Sequence, residues 1–195
     1  VATARKIITY IATSADGYIA RPDGDVAWLD RPRPPGNYGM GAFMRSIDTI
    51  LWGRKTYDMA LTFADDGLGF SQKLKHYVIS HHPPAARPNV EFVTDSVDAF
   101  AEHFRATPGK HAWMMGGAGI IASFLDAGGI DEFIIHVIPL FIGDGIPLIA
   151  PRHRLVPLTL RSSRRFPDGV VRLHYTVSQE SPERANGGKA PHGTH

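Results

Sequence analysis

The chain has 195 residues, 43% apolar and 21% charged, a composition ordinary for a soluble globular protein that buries a sizeable core, with one domain as the default. A formal charge of +2 beside ten neutral histidines gives no argument for nucleic-acid or membrane binding. With no cysteine, disulfides, thiolate catalysis and thiolate-bound metals are excluded; no apolar run nears membrane-spanning length, no signal-peptide pattern opens the chain, and the expected location is the cytoplasm.

Lys6 to Thr13, rich in β-branched residues, predicts a central strand, and Ser14 to Gly17 turns into Tyr18-Ile19-Ala20. Arg21 to Asp25 is a second turn, Val26 to Leu29 is apolar around Trp28, and the prolines of Asp30 to Gly36 enforce a loop. Met40, Phe43, Met44 and Ile47, spaced by three and four, predict a helix over Tyr38 to Ile47 with Asn37 as N-cap. Thr49 to Trp52 is a strand that runs into Gly53-Arg54-Lys55-Thr56-Tyr57 and a short helical piece to Met59. Ala64 to Gly69 is loop, Lys75 to Ser80 a strand stopped by His81-His82-Pro83-Pro84, Asn89 to Val93 a strand, and Ser96 to Phe104 a helix. A strand from His111 then turns through Gly116, Gly117 and Gly119 into an apolar helix, Ile120 to Ala127. This alternation of strand and helix predicts a parallel-sheet α/β arrangement. The last third differs: Ile130 to Pro139 is a long strand, Phe141 to Gly145 a glycine-rich turn, and Leu155 to Phe166 with Gly169 to Val177 an antiparallel hairpin about Pro167-Asp168-Gly169. One domain over 1–178 is expected, with 179–195 a flexible polar tail.

Two turns carry the chemistry. At Gly116-Gly117-Ala118-Gly119-Ile120, a strand end, glycines and a helix start can converge N–H groups on an anion, and missing β-carbons let a ligand approach the backbone. The sequence fits neither the dinucleotide fingerprint nor a P-loop, and a plain tight turn explains it as well. At Gly53-Arg54-Lys55-Thr56, two cations and a hydroxyl suit a phosphate; a solvated basic turn is the plainer account. His81 and His82 could meet an adenosine or serve as loop residues. Asp16 either holds its own turn or faces a substrate. Trp28, Tyr38 and Phe43 could wall an aromatic pocket or belong to the core. His136, within an apolar strand, reads as a satisfied core or interface histidine. Neither H-E-x-x-H nor a close His/carboxylate cluster is present, so no metal is expected.

In order and spacing, Ala12-Thr13-Ser14-Ala15-Asp16-Gly17-Tyr18-Ile19-Ala20, Asp48 to Tyr57, Val78-Ile79-Ser80, Met115 to Ile120 and Pro139 to Leu148 resemble the dihydrofolate reductase-like superfamily. More closely they are similar to its bacterial branch, the C-terminal reductase domain of the bifunctional riboflavin biosynthesis deaminase/reductase. The resemblance spans residues 5–177. It implies an α/β three-layer fold with a central, mostly parallel, twisted sheet and a C-terminal antiparallel hairpin. It also implies an oxidoreductase using NADPH. Gly53, Arg54, Lys55 and Thr56 would hold the 2′-phosphate and diphosphate region, Ser80 and His81 the adenosine end, and Gly116, Gly117, Ala118, Gly119 and Ile120 the diphosphate. Ala12, Ile19 and Ala20 would meet the nicotinamide carboxamide. The substrate class is a small heterocycle such as a ribosylaminopyrimidine, its phosphate met by Arg31, Arg33 or Arg45, and a homodimer is expected.

One departure stands out. The acid that dihydrofolate reductases carry before this strand falls on Asn37, and an amide cannot protonate a substrate. Catalysis is therefore assigned to Asp16 and Asn37, with Trp28 and Phe43 contacting substrate and the proton coming from Asp16 or a bound water. The alternatives are a non-catalytic nucleotide- or flavin-binding protein on this scaffold, a dihydrofolate reductase, and a structural dimer whose glycine turns bind nothing; an exposed apolar strand face around Ile134 to Ile138 is compatible with dimerisation under either reading.

Overall fold

A computed structural model of the chain describes residues 4–62, 73–81 and 87–178. The expected loop at Ala64 to Gly69, His82-Pro83-Pro84 and the polar tail lie outside the described residues. Eight strands form one sheet: β1 (Ile7–Ser14), β3 (Ile47–Gly53), β4 (Lys75–Ile79), β5 (Val90–Val93), β6 (His111–Gly116), β7 (Glu132–Ile138), β9 (Leu158–Arg165) and β10 (Val171–Val177). The order is β5-β4-β3-β6-β1-β7-β10-β9, parallel from β5 through β7 and antiparallel at β10 and β9. Two short strands, β2 (Tyr18–Ala20) and β8 (Ile146–Pro147), pair beside it. The expected mostly parallel sheet with a terminal hairpin is what forms. Among the described residues, no helix is long and apolar enough to cross a membrane.

Period-two alternation explains the layers. Ile7, Leu51, Ala112 and Met114 pack on one face against Phe100 and Phe104 of α3 (Val97–Ala106) and Ile121 and Phe124 of α4 (Ala118–Asp126). Their neighbours Ile8, Ile50, Trp52 and Trp113 pack on the other face against Phe43 of α1 (Met40–Ser46) and Tyr57 of α2 (Arg54–Ala60). Strands buried on both sides need such near-continuous apolar runs, and the helices make three layers.

Two expectations are corrected. The helix starts at Met40, not Tyr38, and Ile47 already belongs to β3. Asn37 caps nothing: Asn37, Tyr38 and Gly39 take φ of 43°, 57° and 93°, a left-handed turn ahead of the helix. Distant contacts hold Tyr38 there. Its hydroxyl donates to Asp168 Oδ2 at 2.5 Å, and its ring meets Phe166 edge-on at 5.0 Å. Along Ile134 to Ile138, β7 is paired on both edges by β1 and β10; Ile138 is buried, while Ile134, Ile135 and Val137 are half-buried. Among the described residues, the exposed large apolar side chains are Phe141, Leu155, Leu158 and Leu160.

Candidate functional site

The connections leaving two adjacent strands go to opposite faces. From β3 the chain enters α2 on one side of the sheet, and from β6 it enters α4 on the other. A crevice opens where neighbouring crossovers part, at the C-terminal ends of parallel strands. Both glycine turns lie there. A Cβ built at Gly53 would come 3.0 Å from Ile120 Cγ2 and 3.4 Å from the Gly116 carbonyl oxygen. One at Gly117 would come 3.2 Å from Thr56 Oγ1. Absent side chains thus let the turns touch. The Gly116–Gly117 peptide is cis.

A groove of about 820 Å³ runs over these turns. Gly53, Arg54, Lys55, Thr56, Ser80, His81, Gly117, Ala118, Gly119 and Ile120 line it, as do Asp23 and Asp95. The structure therefore brings together two stretches far apart in the chain. Gly53 and Gly117 sit at the N-cap positions of α2 and α4, and neither helix has a side-chain cap. Their first-turn N–H groups thus point outward without that partner. Arg54 lines the groove with its Nε donating to both carboxylate oxygens of Asp58, at 2.8 and 2.7 Å, which fixes its guanidinium along α2.

A second cavity, about 270 Å³, lies on the α1 face. β6 leads from one to the other: Met115 lines the cavity and Gly117, two residues on, lines the groove. Ala12, Asn37, Arg31 and Arg33 line the cavity as well, with Tyr10, Tyr38, Trp113 and His136 around them. Arg45, on the last turn of α1, is not among the lining residues.

Several expected site residues sit elsewhere. Asp16 accepts hydrogen bonds from the backbone N–H of Gly143 at 2.8 Å and Ile142 at 3.3 Å. The Ser14 hydroxyl first, and those two amides after it, hold its carboxyl below the usual range. Asp16 is thus an ionised clasp on the 141–145 turn, absent from the lining of either cavity, and the structure corrects its reading as a proton donor. Phe43 is buried and stacks on Tyr10 at 4.4 Å, behind the cavity wall rather than in it. Trp28 packs with Ile138, Phe166 and Val170, its Nε1 buried without a hydrogen-bond partner. Ile19 and Ala20 belong to β2, where Ala20 pairs with Ile146, a groove residue. The two aromatic substrate contacts are therefore second-row wall, and β2 props the groove from outside.

Sequence reasoning missed Tyr10, Trp113, Met115 and His136. The available signal was register. Tyr10 and Ala12 share a face of β1, and Ala12 stands opposite His136 in β7. His136 is 3% exposed, its ring 4.7 Å from Tyr10 and 5.6 Å from Tyr38, with backbone hydrogen bonds to Tyr38 and Ile11 favouring its charged form. Burial first, then the Arg172 charge, push its pKa from 6.5 to about 4, so the imidazole is neutral.

Known proteins resemble the chain in sequence and fold. The chain is 34% identical over 172 residues to the uncharacterized protein YwjB of Bacillus subtilis, across 88% of this chain and 97% of that one. A solved protein of Shewanella sp. PV-4, assigned to riboflavin biosynthesis, superposes with a TM-score of 0.73 at 27% identity, over 91% of this chain and 100% of that one. The dihydrofolate reductase of Enterococcus faecalis shares the fold at a TM-score of 0.59 and 14% identity, over 89% and 97% of the two chains. The profile of the RibD C-terminal domain matches residues 5–172, a span holding both glycine turns and both cavities, and the chain belongs to that family.

Proposed function

We propose that the protein is an NADPH-dependent reductase acting on a small heterocycle of the ribosylaminopyrimidine class. The observation that carries this reading is a long groove floored by two touching glycine turns, on a chain that also holds a compact cavity lined by Met115, two residues before Gly117. Family membership supports the reductase part. What supports a dinucleotide in the groove is the pair of helix starts offering anion seats, and Gly119, whose missing Cβ leaves open space for close approach to the backbone.

Gly117, Ala118, Gly119 and Ile120 would hold the diphosphate through backbone N–H groups. Arg54, Lys55 and Thr56 would meet a 2′-phosphate, with Ser80 and His81 beside the adenosine. When bound, the reduced nicotinamide supplies a hydride. The chain's own contribution is to align two rings and exclude water. Ala12 and Met115, on β1 and β6, line the cavity. The cavity lining contains no carboxyl group among the described residues, so the proton is assigned to a single bound water held apart from bulk solvent. Arg33 would meet an anionic tail; Arg31 lines the cavity too, but donates to the Asp168 carbonyl at 2.9 Å and lies 3.6 Å from its carboxylate.

The test is a screen of NADPH oxidation against dihydrofolate, a ribosylaminopyrimidine phosphate and simple imines or quinones. Turnover of the pyrimidine alone fits the reading. Turnover of dihydrofolate would contradict the substrate assignment. The missing carboxyl also favours a second reading, a nucleotide-binding protein without catalysis; NADPH binding with no oxidation by any of these compounds would select it.

A further inference from the structure

The groove offers a phosphate two cations, and its own carboxylates match them. Apart from His81, the charged side chains that line it among the described residues are Arg54, Lys55, Asp23 and Asp95, so the lining carries no net charge. Arg54 is moreover bound by both carboxylate oxygens of Asp58, one turn along α2. A phosphate monoester carries a charge of about −1.5 to −2 near pH 7, and a seat built for one gathers a surplus of cations.

The two groove carboxylates differ in what occupies them. Asp23 Oδ1 accepts from the Asp25 N–H at 2.9 Å and so holds its own turn. Asp95 has no such task. It precedes α3, but the N-cap position there is taken by Ser96, which makes no side-chain cap bond and instead hydrogen-bonds Asp98 in the first turn. Asp95 is exposed and makes no hydrogen bond or ion pair among the described residues. Its position decides what it acts on. Strands β3, β4 and β5 lie side by side, and the Ser80 N–H, just past β4, donates to the carbonyl of Val93, the last residue of β5, at 3.0 Å. Asp95, two residues beyond Val93, therefore shares the β4–β5 end of the groove with Ser80 and His81. Neighbouring strands are about 4.8 Å apart, so the ends of β5 and β3 are separated by roughly 10 Å. Arg54 and Lys55 follow the end of β3. An adenosine lying against Ser80 and His81 has its ribose between those cations and this carboxylate.

Resting on the reductase reading above, we propose that Asp95 is a specificity-determining residue for the dinucleotide: its charge opposes a 2′-phosphate and holds the preference for NADPH over NADH to a narrow margin, so that the protein binds both. A ribose 2′-hydroxyl is uncharged and can donate to a carboxylate, whereas a 2′-phosphate meets it with repulsion. Lys55, exposed and without a hydrogen bond or ion pair among the described residues, supplies the attraction that keeps NADPH ahead.

Calorimetric titration of the intact protein with NADPH and NADH, for wild type, D95N and D95E, tests this by binding alone. Wild type is expected to bind both nucleotides with less than about 10-fold between them. D95N keeps the shape and an acceptor oxygen but loses the charge; it should tighten NADPH by about 5-fold and leave NADH within about 2-fold. D95E keeps the charge and should retain the wild-type margin. The gain in D95N should shrink in about 0.5 M sodium chloride, since exposed charges are screened, and a purely structural effect would not respond in this way. A wild-type preference above about 10-fold overturns the proposal, as does an unchanged preference in D95N. Binding of NADPH alone would thus overturn this inference and leave the reductase reading intact, whereas no saturable binding of either nucleotide would remove that reading itself.

Discussion

A Cβ at Gly119 would meet no protein atom within 4 Å, so this position separates folding from ligand approach. Gly119→Ala should fold normally, with an unchanged or higher thermal midpoint, because alanine suits a helix better than glycine. Its NADPH affinity should nonetheless fall roughly 10-fold if a diphosphate packs on this backbone. Unchanged affinity in calorimetric titration would move the diphosphate elsewhere. At His136 the prediction concerns pH. The unfolded chain protonates this group near 6.5 and the folded protein only near 4. Below about 6.5 the unfolded state therefore binds the extra proton, and stability falls as pH drops toward 4. The full effect is on the order of 3 kcal/mol, at ~1.4 kcal/mol per unit. His111, also lowered by burial, adds to the same trend. Urea unfolding from pH 7 to 4.5 should thus show a shallower loss for H136Q than for wild type; parallel curves would mean His136 is not held neutral. For Asp16, replacement by alanine frees the amides of Ile142 and Gly143, and hydrogen exchange at those two sites should quicken while NADPH binding persists. A collapse of NADPH binding would return Asp16 to the site.

At the scale of elements, glycine punctuation made both anion turns legible in the sequence. Gly53 and Gly117 each end a strand and start a helix, and a strand-glycine-helix pattern is local. That the turns touch was not legible, because it depends on β3 and β6 being neighbours with crossovers on opposite faces. The left-handed turn at Asn37 to Gly39 was misread as a helix start for a related reason. Its Tyr38 is anchored to Asp168, 130 positions later in the chain, and no local pattern reports such a bond. The same turn roofs the small cavity, so loosening it should act on substrate rather than cofactor. Tyr38→Phe removes the Asp168 bond and should raise the KM for a substrate about 3-fold, with NADPH affinity within about 2-fold of wild type. Equal losses in both would mean the turn supports the whole fold instead of one cavity.

For the molecule as a whole, alternation of strand and helix followed by a hairpin gave the layer order, since apolar periodicity records which faces are buried. The site was read less completely. Cofactor-side residues announce themselves by glycine and charge, whereas the substrate side is built from Tyr10, Trp113, Met115 and His136, ordinary core residue types until the sheet register brings them together. The terminal strand leaves a different trace. Every residue of β9 is exposed, Leu158 and Leu160 at 44% and 53%, while Arg161, Arg164 and Arg165 guard its edge against indiscriminate pairing. We propose this face as the homodimer contact, so a Leu158→Lys/Leu160→Lys double variant should halve the mass seen by light scattering, and a wild-type monomer would dismiss it. The central claim is that two glycine turns on neighbouring strands grip one phosphorylated dinucleotide. Calorimetric titration of the intact protein with NADPH and NADH tests it most directly: one saturable site per chain, tighter for NADPH, is the predicted result, and no saturable binding of either nucleotide would contradict it.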